Sequence, residues 1–236
     1  MLSVLYSAAG GLDAAAKNQD VLARNIANAS HPGYRRATLR FSDELRSADG
    51  SAALTATEGV GFDQGELLRT DSPLDFALEG DGFFTLQKRD GGLLYTRKGS
   101  FVLGADGRIE TSSGFTVLGS SGPILLPPGT KITVGSDGTI VAADGQQLGK
   151  LRISAFADNS SLARAGTTLF EETGTTSKAM PALDCSVRQG FIENANVNVI
   201  AEMVRMIENT RAFEANQRAA SSANAALSAL NQTADA

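Results

Sequence analysis

Two side chains in this sequence could act as a catalytic base or nucleophile, and each residue type occurs once. His31 could abstract a proton near neutral pH, and Cys185 could attack as a thiolate. His31 precedes Pro32-Gly33 at the expected end of a helix, where an imidazole favours the negative helix terminus. Cys185 has no histidine or basic residue beside it to lower its pKa. We therefore interpret His31 as a capping or exposed residue and Cys185 as a passive small residue.

The sequence lacks the spaced motifs that bind phosphate, dinucleotides or calcium. Lys98-Gly99-Ser100 has the wrong order for a phosphate-binding loop, and Gly59-Val60-Gly61 lacks the third glycine of a dinucleotide fingerprint. The aspartates of the Asp-Gly pairs lack the twelve-residue spacing of a calcium loop. We predict no cofactor, no metal and no enzymatic activity. The 26 acidic residues leave a glycosidase-like carboxylate pair open.

Composition narrows the class of protein further. The chain has 236 residues, of which 42% are hydrophobic and 20% charged, so it can bury a core in one or two domains. Its formal net charge is −5 and no basic cluster is visible, so nucleic acid is not an expected partner. The longest apolar run, Ile140 to Ala143, is too short for a membrane-spanning helix. The first residues lack the features of a cleaved secretory signal.

Glycine and proline divide the chain into three parts. Residues 1–31 contain two glycines, Gly10 and Gly11, and no proline. Residues 191–236 contain neither glycine nor proline. Since glycine costs about 1 kcal/mol in a helix interior and proline about 3 kcal/mol, both ends can be long helices and the middle cannot. We predict that the first helix ends near Asn28–Ser30, before Pro32. The second should have about 34 residues and span roughly 50 Å.

Both predicted helices carry apolar side chains at seven-residue spacing. In the first helix Leu5, Leu12 and Ile26 share one heptad position, with Gln19 as a polar interruption. Leu22 lies in a second row, three residues later, with Ala8, Ala15 and Ala29. In the second it is formed by Val199, Met206, Phe213, Ala220 and Leu227, with Met203, Thr210, Gln217 and Asn224 in the intervening seam. This pattern predicts coiled-coil helices that pair with each other or with copies of the chain. The alternative is an ordinary amphipathic helix packed on its own domain.

The middle of the chain is predicted to be β structure. Asp-Gly pairs at 81–82, 90–91, 106–107, 137–138 and 144–145 favour turns. The runs between them suit strands at 83–86, 93–97, 100–103, 115–118, 131–134 and 151–156. Their spacing indicates an antiparallel barrel or sandwich. Residues 47–57 are small and polar and are predicted as a loop, after which Val60 to Leu68 could return as a strand.

The predicted fold class is therefore mixed α and β, with N- and C-terminal helices paired as a coiled coil and enclosing a central antiparallel β domain. Residues 1–31 with 191–236 would form a discontinuous helical assembly domain. Residues 32–73 would form an extended connecting segment, 74–183 a β-rich outer domain, and 184–190 the return connection.

Three stretches hold more polar and glycine residues than local turns require. They are 25–35, 74–84 and 190–199. One asparagine suffices to cap a helix, so the three that alternate before the second helix indicate a hydrogen-bond network at a junction. The predicted junction residues are Asn25, Asn28, Gly33, Tyr34, Gly80, Asp81, Gly82, Phe83, Asn194, Asn196 and Asn198.

In this order, the three stretches resemble the signatures of the flagellar hook–basal-body rod family. Asn25-Ile26-Ala27-Asn28 followed by Gly33-Tyr34-Arg35 is similar to its N-terminal signature. Leu74 to Phe84 followed by Tyr95-Thr96-Arg97 is similar to its internal stretch. Residues 193–199, with Glu202-Met203-Val204 and Arg211-Ala212-Phe213-Glu214, resemble its C-terminal signature. The resemblance covers nearly the whole chain.

The resemblance implies a structural protein that assembles into the axial rod and transmits torque. Its terminal helices would form an inner layer around the export channel, and its β domain would face outward. The implied partners are copies of itself, other flagellar rod and hook proteins and the flagellar type III export apparatus, with no direct membrane insertion. The implied location is the rod in the periplasm, reached without a cleaved signal peptide.

Residues 122–124, 126–129 and 137–140 are most similar to rod members at the proximal end, and segment 42–70 is short for a distal member. A distal position is the first alternative. Two other classes also stay open at the level of sequence: a carbohydrate-binding or peptidoglycan-acting β domain, and a secreted adhesin with coiled-coil ends. The seam residues would then serve only oligomerisation.

Overall fold

The computed structural model describes residues 2–45, 52–127, 129–173, 178–182 and 184–234, with the backbone alone for 2–9, 41–45, 52–55 and 227–234. The chain divides into two compact units. The first comprises 1–27, 37–61 and 197–236, and the second 28–36 and 62–196. The four-part domain organisation predicted from the sequence stays a prediction.

The first unit consists of two helices and a β-hairpin. Its elements are α1 (Leu2–Ala27), β1 (Ala37–Leu45), β2 (Ala52–Val60) and α2 (Val199–Ala234). The two strands pair antiparallel along their whole length. The helices pack along each other, and α1 also contacts the hairpin. The mixed α and β fold class is confirmed at this level, and coiled-coil pairing is taken up as a proposal below.

The ends of the helices follow from local sequence. Helix α1 ends at Ala27, close to the predicted Asn28–Ser30, because Pro32-Gly33 cannot continue it. Helix α2 has 36 residues. It begins after Asn198, whose side-chain oxygen accepts the N–H of Ala201 at 3.0 Å and so caps the first turn.

The hairpin corrects two expectations. Residues 52–57, predicted as loop, belong to β2, while 47–51 lie outside the described residues. Between Val60 and Leu67 the chain is not a strand, so the strand predicted from Val60 to Leu68 is wrong except at its two ends. Small polar residues carry little strand signal of their own, and pairing with β1 supplies what the pattern lacks.

The second unit is built from short strands and one 3₁₀ turn at Asn159–Ser161. The strands are β3 (Leu67–Arg69), β4 (Phe76–Glu79), β5 (Phe83–Gln87), β6 (Leu93–Thr96), β7 (Phe101–Leu103), β8 (Ile109–Thr111), β9 (Thr116–Gly119), β10 (Gly122–Pro123), β11 (Ile132–Val134), β12 (Thr139–Ala142), β13 (Gln147–Lys150), β14 (Ile153–Ala155), β15 (Leu162–Arg164), β16 (Leu169–Glu172), β17 (Met180–Pro181), β18 (Ser186–Gln189) and β19 (Phe191–Glu193).

These strands form one large antiparallel sheet and three small ones. The large sheet has ten strands and runs β15-β16-β6-β5-β9-β8-β7, with β10 on β9, β14 on β5 and β17 on β14. The small sheets are β11-β12-β13, β18-β4 and β19-β3. All six predicted strand runs are confirmed within a few residues. The buried faces of the large sheet and of the small sheets share one apolar core, which includes Phe76, Phe84, Leu86, Ile109 and Ile140.

The Asp-Gly pairs make turns by a common mechanism. In four of them the glycine has a positive φ of 78–89°, and the aspartate side chain accepts the N–H two residues further on. This geometry explains these aspartates without a calcium ion. The fifth glycine, Gly82, serves close packing instead, because a Cβ there would lie 2.8 Å from the Ile153 side chain.

Candidate helix interface and motif junction

A ladder of polar contacts joins α1 to α2 in the first unit. The buried Asn25 donates to Glu202 Oε2 at 3.2 Å, and Asn18 donates to Asn209 Oδ1 at 3.0 Å. Asn209 in turn donates to the backbone oxygen of Ala15 at 2.8 Å. From the first pair to the second, the α1 residue moves back by seven positions, from 25 to 18, and the α2 residue moves forward by seven, from 202 to 209. The helices therefore run antiparallel in a register that repeats every seven residues.

Gly11 continues the ladder by one further step of seven. A Cβ at Gly11 would lie 2.9 Å from the amide nitrogen of Asn216, closer than real Cβ contacts come. The glycine thus leaves room for the Asn216 side chain between the two helices. At the other end of the ladder, Asn25 accepts the N–H of Ala37 and donates to its carbonyl oxygen, which ties the start of the hairpin to α1.

The predicted apolar stripe lies partly on this interface. Leu22 is buried, while Leu12, Ile26, Val199 and Met206 are half-buried. Leu5 and Leu227 lie outside the residues whose side chains are described. The intervening polar positions that contact α1 are Glu202, Asn209 and Asn216, each one residue before the predicted 203, 210 and 217. The sequence pattern missed this ladder, although its seven-residue spacing is readable in both helices.

The opposite face of α2 is apolar and exposed. Ile200 is 76% exposed, Val204 50% and Ile207 56%. Met203 is 49% exposed beside them. Phe213 is 37% exposed but lies eleven residues after Glu202, and therefore on the α1-facing side of the helix, in line with Met206. Exposed large apolar side chains grouped on one helix face mark an interaction surface. Whether Met203 and Phe213 serve an assembly seam stays a prediction.

In the second unit, three buried charges meet where the three polar stretches converge. Arg35, Arg97 and Glu193 are 0%, 2% and 1% exposed. Glu193 Oε1 lies 2.7 Å from Arg35 Nη1, and Oε2 lies 3.5 Å from Arg97 Nη1. Glu193 Oε1 also accepts the N–H of Gly65 at 2.8 Å. We call this cluster, Arg35, Arg97 and Glu193, the motif junction.

Two cations share one anion in the motif junction. Burial lowers the pKa of Arg97, the nearby Arg35 lowers it further, and Glu193 opposes both effects. The guanidinium groups also donate to backbone oxygens, Arg35 to Asp63 at 2.8 Å and Arg97 to Leu78 and Gly80. A buried arrangement of this kind fixes the relative positions of the segments that carry it.

Glycines of the same stretches allow the backbone to approach closely. Gly33 has a φ of 74°, and a Cβ there would lie 2.3 Å from the backbone nitrogen of Lys98. Gly80 has a φ of 100° and would meet the oxygen of Asp184 at 2.4 Å. Asp81 is exposed. These glycines are packing points rather than phosphate-binding residues.

The aromatic residues of the stretches sit under cations. Arg97 lies over the ring of the buried Phe83 at 5.7 Å, and Arg164 lies over the ring of the buried Tyr34 at 5.0 Å. Phe83 also packs edge-on against Phe62 and Phe170. Cation–π contacts of buried rings add to the stabilisation from burial alone.

The asparagines before α2 have different partners. Asn196 accepts the N–H of Arg36 at 2.6 Å and donates to the oxygen of Asp63 at 2.9 Å. The backbone N–H of Asn194 donates to the oxygen of Glu66. Asn198 caps α2, as described above. Asn28 accepts the N–H of His31 through its backbone oxygen. The expected hydrogen-bond network thus extends through Asn196, while its role in assembly stays a prediction.

The two candidate catalytic residues, His31 and Cys185, lie in different environments. His31 is exposed, and Cys185 is half-buried. Burial raises the pKa of the Cys185 thiol, although Arg97 acts in the opposite direction. Among the residues that the structure describes, no group of His, Cys, Asp and Glu side chains could hold a metal ion. Neither α1 nor α2, in its described part, is long and apolar enough to cross a membrane.

Comparison with known families assigns the same three stretches. Residues 5–35 match the model of the flagella basal body rod protein, 77–142 the D1 domain of the flagellar hook protein FlgE/F/G, and 188–233 the C-terminal part of the flagellar basal body rod FlgEFG protein. The chain belongs to the flagellar hook and basal-body rod protein family. This is a family of structural proteins, so the enzymatic alternative is removed.

Relatives extend the match over nearly the whole chain. The flagellar basal-body rod protein FlgG of Buchnera aphidicola subsp. Acyrthosiphon pisum is 34% identical over 262 aligned positions, which cover 98% of this chain and 100% of the relative. FlgF of Salmonella typhimurium is 35% identical and covers 89% of each chain. FlgF of Rhizobium meliloti is 34% identical over 219 positions, which cover 91% of this chain and 90% of the relative.

Proposed function

We propose that the chain is a structural subunit of the flagellar basal-body rod, which polymerises through its helical unit and does no chemistry. The observation that carries the proposal is the two-faced α2. One face is hydrogen-bonded to α1 through polar contacts spaced seven residues apart, while the other presents the exposed side chains of Ile200, Val204 and Ile207. An apolar helix face of this kind needs a partner. The relatives named FlgG and FlgF, both called basal-body rod proteins, support this assignment.

The two terminal helices are proposed to form an antiparallel coiled coil. The buried Asn25–Glu202 contact and the half-buried Asn18–Asn209 contact support it, because polar pairs at heptad spacing in a helix interface specify register at a cost in stability. The proposed assembly seam is formed by Leu5, Leu12, Leu22, Ile26, Val199, Met203, Met206, Phe213 and Leu227. Torque would pass through many such contacts in parallel.

The proposed partners are copies of this chain, other rod and hook proteins and the flagellar type III export apparatus. The proposed location is the part of the rod that crosses the periplasm. The proposed domain organisation places the helical assembly domain around the axis and the β-rich domain outside. The motif junction would fix the segments that lead from the β domain to the helices.

A position at the proximal end of the rod is proposed over a distal one. The alignment with the Buchnera FlgG has 262 positions, 26 more than the 236 residues of this chain, so at least 26 positions are gaps opposite it. The shorter FlgF alignments and the short 42–70 segment support a compact member of the family. Immunogold labelling of purified basal bodies tests this proposal. Label confined to the hook-side end of the rod would contradict it.

Phe213→Asp tests assembly through the helices. The substitution puts a charge into the α2 stripe, so we expect the tagged variant to be lost from purified basal bodies while its β unit keeps its circular dichroism signal. Ala219→Asp is the matched control, because Ala219 is exposed on the same helix and outside both stripes. Normal incorporation of Phe213→Asp would remove the coiled-coil proposal.

A further inference from the structure

The face of each helix that points away from the other carries an ordered set of charges. With about 100° per residue, Asp13 and Asp20 lie on the side of α1 away from the polar ladder, and Lys17 lies at the edge of that side, about 100° from Asn18. Arg211, Glu214 and Arg218 lie on the corresponding side of α2. All six side chains are exposed. We call these two surfaces the outer face of α1 and the outer face of α2.

The two outer faces match in sign and in spacing when they are read in opposite directions. Along α1 from residue 20 to 13 the charges are negative, positive and negative, at steps of three and then four residues. Along α2 from residue 211 to 218 they are positive, negative and positive, again at steps of three and four. A parallel arrangement would set steps of four and three against three and four. Only the antiparallel arrangement keeps all three pairs level.

The uncharged residues of the two faces match in the same register. If Asp20 stands opposite Arg211, then the small Ala27 stands opposite Val204. Ala23, one residue before the position level with Ile207, is the nearest small residue of the outer face of α1. Val204 and Ile207 are 50% and 56% exposed, and both alanines are exposed. Small residues on one helix let large apolar residues of another approach closely, which buries the exposed apolar area.

We propose that the outer face of α2 binds the outer face of α1 of a second copy of this chain. The helices run antiparallel, with Arg211 against Asp20, Glu214 against Lys17 and Arg218 against Asp13. The two faces cannot meet within one chain, because each points away from the α1–α2 interface. The proposal rests on the proposed function and adds the partner surface and its register.

The arrangement explains how assembly continues beyond a pair. Each copy would give one outer face to the next copy and the other outer face to the previous one. A contact of this head-to-tail kind, when it does not close on itself, produces a helical filament. The ion pairs within each helix, Lys17–Asp13 at 2.8 Å and Arg218–Glu214 at 3.4 Å, would merge into one network of alternating charges.

Inversion of whole charge triplets tests the proposal. One variant combines Asp13→Lys, Lys17→Glu and Asp20→Lys, and keeps the spacing of the ion pair within α1. The other combines Arg211→Glu, Glu214→Lys and Arg218→Glu and does the same in α2. Each triplet variant alone places like charges opposite each other at all three proposed pairs. We therefore expect incorporation into purified basal bodies to fall about tenfold. Both triplets in one chain restore the opposite signs and should return incorporation to at least half of the wild-type level.

Two controls make the outcome decisive. Circular dichroism must give the same helix content for each triplet variant as for the wild type. Arg108→Glu with Lys131→Glu, two exposed cations of the second unit, should leave incorporation unchanged. Normal incorporation of either triplet variant, or failure of the six-fold variant to recover incorporation, overturns the proposed pairing. Incorporation of the wild-type chain in the same experiment would still support the rod function. If the helix of a different rod protein covers α2, recovery fails. Absence of the wild-type chain from basal bodies would contradict the rod function itself.

Discussion

Glu193→Gln is expected to destabilise the second unit strongly, because Glu193 is the only anion in the motif junction. The substitution keeps the shape of the side chain and one oxygen that can accept the Gly65 N–H. It removes the negative charge between the buried Arg35 and Arg97, 2.7 Å and 3.5 Å away. Removing one partner of a buried ion pair costs about 3–5 kcal/mol, because the remaining charge stays buried without compensation. That cost is a large share of the stability of a domain.

Urea unfolding followed by tyrosine fluorescence measures this cost. The chain has no tryptophan, and its tyrosines include Tyr34 and Tyr95, both buried in the second unit. The matched control is Glu79→Gln, which breaks the exposed Glu79–Arg188 ion pair and should cost below about 1 kcal/mol. A Glu193→Gln chain as stable as the Glu79→Gln chain would refute the reasoning.

Three further predictions follow from close contacts and hydrogen bonds. Gly11→Val should lower the melting temperature of the helical signal, since its Cβ would meet Asn216 at 2.9 Å, and Asn216→Ala should recover part of the loss; thermal circular dichroism measures both. Gly99→Ala should prevent folding of the second unit, because its Cβ would lie 1.6 Å from a backbone oxygen. Gly91→Ala has open space around it and should cost only about 1 kcal/mol, for its positive φ. The dispersion of proton NMR signals distinguishes the two variants. Hydrogen bonds from the threonine two residues on hold the pKa of Asp137 well below its usual range, so its contribution to stability should be complete above about pH 4 and disappear as the pH falls further; carbon-13 NMR titration of the carboxyl that finds an ordinary pKa would contradict this.

The sequence predicts the elements whose signals are local. The long glycine-free end predicts α2, and Pro32-Gly33 predicts the end of α1. Asp-Gly turns and alternating runs predict the strands of the large sheet. In each case the decisive interaction lies within a few residues along the chain, as the aspartate hydrogen bond to the N–H two residues later illustrates.

The hairpin and the phase of the helix interface were harder to predict. Strand β2 starts at Ala52 and Ala53, whose small side chains carry little strand propensity, and it pairs with β1 along its length. Apolar side chains such as Met203 are what a sequence pattern marks as contacts, and the pattern gives no sign that the neighbouring Glu202 faces α1. In fact the α1-facing position holds a buried carboxylate that accepts the Asn25 amide.

The motif junction is only half visible in the sequence. The stretches that carry Arg35 and Glu193 stand out by composition, and the predicted junction residues Tyr34 and Asn194 lie beside them. Arg97 lies outside the middle stretch, which ends at Phe84. The convergence of the three charged residues depends on contacts between segments separated by more than 60 residues, which no periodicity reveals. Two cations around one carboxylate are a tertiary feature, and local propensity carries no signal for it.

Electron microscopy of basal bodies from a clean-deletion strain is the most direct test of the central claim, that this chain is a structural subunit of the rod. The deletion strain should yield basal bodies whose rods stop short, and complementation with the tagged chain should restore full rods with the tag inside them. Full-length rods and normal motility in the deletion strain would contradict the claim.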